Sequence, residues 1–241
     1  MLSHKLKERN AGAEHMNARK WIFLLFMGCL LLLAGLYHIQ ASAAVRTETA
    51  QTPVMREEKK IALTFDDGPH PVYTELLLDG LKQRNVKVTF FILGEQAENY
   101  PEIVKRIGEE GHLIGNHTYS HLQYSPSREV EFGEELVKTN EILKDITGQD
   151  VMFVRPPYGS WNKKYETQLN MFPVLWTIDP LDWTTSNVSK VVRGVLAKAS
   201  ENDIILMHDC YQSTVTAALE IIDTLQKEGF VFVTVDELLF D

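Results

Sequence analysis

Five short clusters carry residue types that could do chemistry. Asp66 and Asp67 stand side by side ahead of Gly68-Pro69. Two neighbouring carboxylates are tolerable in a closed site only where cations share them, so the pair points to a metal ion, an arginine or both. Successive side chains at a strand end point different ways, so one aspartate can bind the ion while the other takes a proton from a water as general base. The same dipeptide before glycine also serves as an ordinary turn. His117 and His121 are four apart in the stretch HTYSH. On one helical turn they would present both imidazoles to one ion, with Asp66 or Asp67 completing a facial set that leaves positions open for water. Solvated helix faces produce the same spacing, so the pair gains weight only beside the aspartates.

Arg155-Pro156-Pro157-Tyr158-Gly159 is a rigid run. Rigidity would aim Arg155 at a carboxylate and the Tyr158 amide at a substrate oxygen, where a preorganised donor stabilises a tetrahedral intermediate. Asp179-Pro180-Leu181-Asp182-Trp183 and Leu206-Met207-His208 offer a carboxylate and an imidazole. A carboxylate that orients His208 and raises its pKa makes a general acid for a leaving amine, and Asp179 and Asp182 both qualify. Trp183 and Leu206 would wall an apolar pocket large enough for a methyl group. Singly, such residues are more often satisfied core positions; their joint placement is what counts.

Positioning these residues requires strands, and seven short β-rich runs are present: 61–66, 88–93, 113–117, 152–155, 174–179, 204–208 and 230–235. Between them, 73–83, 101–110, 128–146, 163–171, 188–199 and 215–228 carry apolar residues at helical spacing. Pro101 suits a first helical turn, and Gly111, Gly148 and Gly229 sit where helices should stop. Continuous apolar strands alternating with helices imply a parallel sheet, here a distorted or incomplete (β/α)7 barrel of the TIM-barrel kind, with an open doubly wound sheet as the alternative. Each polar cluster falls at the carboxyl end of a strand, where this architecture gathers its chemistry.

The amino terminus reads as a leader. Lys5, Lys7, Arg9, Arg19 and Lys20 precede an apolar run over 21–37, and Ala41-Ser42-Ala43 follows. That order makes residues 1–43 a signal peptide or, if uncleaved, a membrane anchor with its basic flank in the cytoplasm. Residues 44–58 are a polar linker, and 59–241 form one catalytic-size domain. Without residues 1–43 the chain keeps 19 basic against 31 acidic residues. Such an acidic domain argues against nucleic acid as a partner. Export to the wall face, membrane contact only through the leader, and a monomer are the expectations. Cys210 is alone in the domain, so no disulfide forms there, and it reads as a small buried filler rather than a nucleophile.

In that order and spacing, TFDDGP, HTYSH, RPPYG, DPLDW and LMH resemble the five motifs of the polysaccharide deacetylases of carbohydrate esterase family four. The resemblance covers about residues 59–241, with no departure at a chemical position. It implies a distorted barrel and metal-dependent removal of acetyl groups from N-acetylated sugars, releasing acetate. It further implies Asp66 as catalytic base held by Arg155, Asp67, His117 and His121 as metal ligands, the Tyr158 amide at the oxyanion, and His208 as acid tuned by the fourth motif's aspartate, taken as Asp182. Zinc is the expected ion, with cobalt, nickel and manganese acceptable to the same donors. Peptidoglycan is the preferred substrate, with chitooligosaccharide next. An O-deacetylase of the acetylxylan type would use the same constellation. A non-catalytic glycan-binding wall protein would have lost a ligand or the base, and a metalloprotease is disfavoured because no Glu follows His117.

Overall fold

A computed structural model describes residues 20–38, 40 and 58–240. The basic residues ahead of Lys20, the Ala41-Ser42-Ala43 site and the linker up to residue 57 lie outside the described residues. The chain divides into two units, Met1–Arg56 and Glu57–Asp241. In the first, helix α1 runs over Lys20–His38, with a mean hydropathy of 2.0 and none of it buried. At 1.5 Å per residue it is about 28 Å long, which matches a bilayer's hydrocarbon thickness.

The second unit is built on a fully parallel sheet. Its strands are β1 (Lys59–Asp66), β2 (Thr89–Ile92), β3 (Leu113–Asn116), β4 (Phe153–Val154), β5 (Phe172–Pro173), β6 (Ile204–His208) and β7 (Phe230–Val233). The order is β5-β4-β3-β2-β1-β6, with β7 pairing the first half of β1. The helices are α2 (Tyr73–Arg84), α3 (Gly94–Asn99), α4 (Pro101–Glu109), α5 (Glu129–Thr147), α6 (Lys164–Gln168), α7 (Val188–Leu196), α8 (Gln212–Lys227) and α9 (Val235–Phe240). This is the expected distorted barrel.

Strand periodicity decides what faces inward. Ile61, Leu63 and Phe65 of β1, Phe90 and Ile92 of β2, and Ile205 and Met207 of β6 join the apolar layer under the helices. Their alternates face the other way, so Thr64 and Asp66, Phe91, Leu206 and His208 line the inner side. Ala62, Phe91, Phe153 and Val174 make a small apolar floor there. Asp66, His117, Arg155 and His208 therefore meet at one mouth because each continues the inward-facing register.

One expected strand differs. The stretch 174–179 is not a strand; β5 ends at Pro173, and Ile178 makes only an isolated bridge to Ile205. The segment starts on β4, where the Val174 amide donates to the Val154 carbonyl at 2.8 Å, and ends on β6, where Leu206 donates to Ile178 at 2.9 Å. It thus spans the gap between the two sheet edges. Its middle cannot extend the ladder, because the Val174 and Leu175 carbonyls are taken by the Arg155 side chain. Helices α3 and α9 lie where no helix was expected.

Gly115 on β3 shows how tightly the inner face is packed. A Cβ there would meet Phe91 ring atoms at 2.4 and 2.6 Å and the Phe153 carbonyl at 3.3 Å. Gly115→Ala is expected to destabilise the domain by about 1–3 kcal/mol through overpacking. Urea unfolding checks this: the midpoint should fall with an unchanged m-value.

Candidate active site

Asp66 closes β1 on the inner face and is almost completely buried. Its Oδ1 accepts a hydrogen bond from Arg155 Nη1 at 2.9 Å. Arg155 is fully buried and spends its other donors on the fold: Nη1 reaches Thr64 Oγ1 at 2.6 Å, and Nε and Nη2 reach the Val174 and Leu175 carbonyls at 3.1 Å each. Its guanidinium stacks 4.2 Å over the Phe91 ring. Asp66 is thereby fixed in rotamer, with Oδ2 left toward the mouth.

Asp67, His117 and His121 converge on one point, with donor atoms within 4.8 Å of one another. The Asp67 Oδ1 atom lies 3.3 Å from His117 Nε2 and 3.5 Å from His121 Nε2, yet has no hydrogen-bond donor among the described residues. His117 Nδ1 lies 2.6 Å from the Arg155 carbonyl, which can only accept, so that nitrogen carries a proton. In the neutral ring, Nε2 then turns a lone pair toward a carboxylate oxygen. Such a contact is attractive only with positive charge between the partners. Two imidazole nitrogens and one carboxylate oxygen around one point fit a divalent cation, with the Arg155 carbonyl orienting the first imidazole.

The histidine pair departs from its expected setting. Residues 117–121 are not a helical turn: His117 follows β3, and Thr118 and His121 have left-handed backbones with φ of 64° and 63°. The chain instead folds back as a loop, and the two rings approach to 5.0 Å between centroids. Spacing of four does not distinguish these arrangements.

His208 ends β6 opposite. Its Nδ1 lies 2.9 Å from Asp182 Oδ1, and its amide donates to Asp182 Oδ2 at 2.8 Å, where Thr214 Oγ1 also donates at 2.7 Å. Asp179 does not take this place; its Oδ1 accepts from the Leu181 amide at 2.8 Å, an Asx-type turn. Burial pushes the His208 pKa down, but the Asp182 carboxylate outweighs it, helped by Asp66 and Asp67, and holds the ring up at about 9. The Cys210 thiol is pushed well above its ordinary pKa by burial and then by Asp209, so it is no thiolate nucleophile.

Asp66, Asp67, His117, His121 and His208 line one cavity of about 340 Å³, with Arg155 and Asp182 hydrogen-bonded behind Asp66 and His208. Tyr158, Trp183 and Leu206 also line it, Tyr158 with a left-handed backbone at φ 56°. Sequence reasoning missed Trp176 and Tyr211 in the wall, and it placed Asp209 with His208 at the end of the sixth strand without a role; Asp209 is fully buried and receives a hydrogen bond from Thr74 Oγ1. The first two lack a motif of their own. Asp209 adjoins His208, and its only signal was a carboxylate at a strand end.

A parallel α/β barrel with a cation-seeking His-His-Asp cluster at the carboxyl ends of its strands defines the class. Residues 54–174 match the family described as polysaccharide deacetylase. Over 186 residues the chain is 42% identical to the peptidoglycan-N-acetylglucosamine deacetylase of Bacillus cereus, covering 74% of this chain and 68% of that one. It is 40% identical over 181 residues to the peptidoglycan-N-acetylmuramic acid deacetylase PdaC of Bacillus subtilis, covering 75% of this chain but only 39% of the relative. The solved structure of PdaC from Bacillus subtilis superposes with a TM-score of 0.71 at 39% identity, over 76% of this chain and 90% of that one. The chain belongs to the polysaccharide deacetylase family, whose members are metal-dependent hydrolases.

The Asp182 contact makes a measurable prediction. In the metal-free protein, NMR titration should place the His208 pKa near 9, and Asp182→Asn should lower it, because the largest interaction opposing burial is then gone and only the Asp66 and Asp67 carboxylates remain against it. The sign for stability follows. A raised folded-state pKa stabilises fully below the unfolded value of about 6.5 and is lost as pH rises through about 9. The stability gap between wild type and Asp182→Asn should therefore narrow across that window.

Proposed function

We propose that residues 59–241 remove acetyl groups from the N-acetylated sugars of peptidoglycan, releasing acetate and leaving a glucosamine-type unit. The observation that carries this reading is that one cavity is lined by Asp66, which Arg155 holds, by Asp67 with His117 and His121, and by His208, which Asp182 holds. The two curated relatives act by name on different sugars of that polymer at nearly equal identity, so the shared polymer, rather than either sugar, is the substrate proposed.

Asp67, His117 and His121 would hold the ion. Zinc suits two imidazoles and a carboxylate first, and cobalt, nickel or manganese fit the same donors. When bound, such an ion acts as a Lewis acid and makes water a stronger acid. Asp66, with one oxygen committed to Arg155 and the other toward the mouth, takes the proton of the attacking water. The Tyr158 amide donates to the oxygen of the tetrahedral intermediate. His208, kept protonated by Asp182, gives its proton to the departing amine. Trp183 and Leu206 wall the space for the acetyl methyl. Leader residues 1–43, of which α1 is the apolar part, direct the enzyme to the outer face of the membrane, and the polar linker 44–58 joins the leader to a monomeric domain.

Acetate release by the full chain from purified peptidoglycan, chitooligosaccharides and acetylxylan tests the proposal. The expected outcome is release from the N-acetylated glycans that a chelator abolishes and Asp66→Asn reduces by about a hundredfold or more. Release from acetylxylan alone would make the enzyme an O-deacetylase. No release from any polymer, with metal bound, would favour a glycan-binding protein.

A further inference from the structure

The loop bearing His121 has no regular structure of its own, yet two of its non-glycine residues hold left-handed backbones, Thr118 and His121. Such conformations persist where surrounding groups impose them. Here most of the imposing bonds come from outside the loop. The Thr118 amide donates to Asn116 Oδ1 at 2.7 Å, and the Thr118 and Tyr119 carbonyls accept from the Gly94 and Glu95 amides at 3.0 and 3.1 Å. The next two amides, Tyr119 and Ser120, both donate to one carboxylate oxygen, Oε2 of Glu135 on α5, at 3.1 and 3.0 Å. The Ser120 hydroxyl donates to the other, Oε1, at 2.6 Å.

We propose that Glu135 is a positioning residue for the metal site: by binding the Tyr119 and Ser120 amides it fixes the loop that presents His121. The inference rests on the ligand assignment proposed above. His117 is oriented separately by the Arg155 carbonyl, and Asp67 belongs to the β1 end, so His121 is the ligand whose placement depends on this clasp. Glu135 faces neutral N–H and O–H donors, so geometry rather than charge is what the loop needs. A glutamine satisfies it: its carbonyl accepts both amides, and its NH2 donates to Ser120 Oγ. Alanine leaves both amides to water and frees the loop.

The test is zinc titration of the metal-free full chain in detergent against a chromophoric chelator, together with the visible absorption of the cobalt-loaded protein, which reports the donor set. Glu135→Ala should weaken zinc binding about tenfold or more and alter the cobalt spectrum, as loss of a partner that orients a ligand does. Glu135→Gln should stay close to wild type, and Ser120→Ala should fall between them. Glu134→Ala, an exposed neighbour on α5, should change nothing. Circular dichroism confirms that each variant is folded. A folded Glu135→Ala with wild-type zinc affinity and spectrum would overturn the proposal, as would Glu135→Gln failing as badly as alanine. If the alanine variant does not fold, Ser120→Ala decides: unchanged affinity overturns the proposal and weakened affinity supports it. His121→Ala separates the two readings, since wild-type zinc affinity in that variant would overturn the ligand assignment itself.

Discussion

A guanidinium buried inside the barrel is the constraint on which the rest depends. A charge taken fully out of water is tolerable only when its donors are met by well-placed acceptors. Arg155 finds them on two elements: Asp66 and Thr64 on β1, and the Val174 and Leu175 carbonyls on the segment closing the gap between β4 and β6. Its own carbonyl faces His117. Thr64 in turn donates to the Ile205 carbonyl of β6 at 2.7 Å. The interaction that closes the sheet edges therefore also fixes the rotamer of Asp66 and the tautomer of His117. Barrel closure and site geometry cannot be disturbed separately at this residue.

This dependence explains which parts of the molecule were legible in the sequence. The inner-face alternation of β1, β2 and β6 is local, so strand positions and the clustering of Asp66, His117, Arg155 and His208 at one mouth could be read directly. The 174–179 stretch could not. Its apolar, β-prone residues gave the right local signal, but an arginine about 20 positions earlier in the chain takes the carbonyls that a strand would need. The HTYSH loop failed for the same reason. Spacing of four suggested a helical turn, while the backbone follows Asn116, the first turn of α3 and Glu135, none of which belongs to the motif. Periodicity reports which face a residue occupies. It does not report which distant polar group will claim its backbone.

The choice between Asp179 and Asp182 shows the same limit at smaller scale. Both are aspartates near a strand end, one position from a proline in the first case and from a tryptophan in the second. Leu181, with a left-handed backbone at φ 56°, turns the chain between them. Asp179 is spent on that turn, and Asp182 is delivered, buried, to His208 and Thr214. A turn's internal acceptor and a histidine's partner are the same residue type, separated only by the path of the backbone.

Charge balance around the cavity then bears on where the proposed ion would sit. Asp66 has Arg155 and Asp182 has His208. Asp209, fully buried with one oxygen unpartnered, has its pKa pushed up to about 7 by burial, so near neutral pH it is partly relieved of charge by a proton and held by Thr74. Among the described residues Asp67 has neither a guanidinium nor a hydrogen-bond donor on Oδ1, and the groups facing that oxygen are two imidazole nitrogens, one of them a lone-pair donor in the neutral ring. In a domain carrying a large excess of acidic residues, adding another carboxylate at a mouth already lined by Asp66 and Asp179 would be costly unless a cation accompanied it. The two adjacent aspartates are thus treated unequally: Arg155 supplies a cation for the first, and no guanidinium or hydrogen-bond donor among the described residues meets Oδ1 of the second.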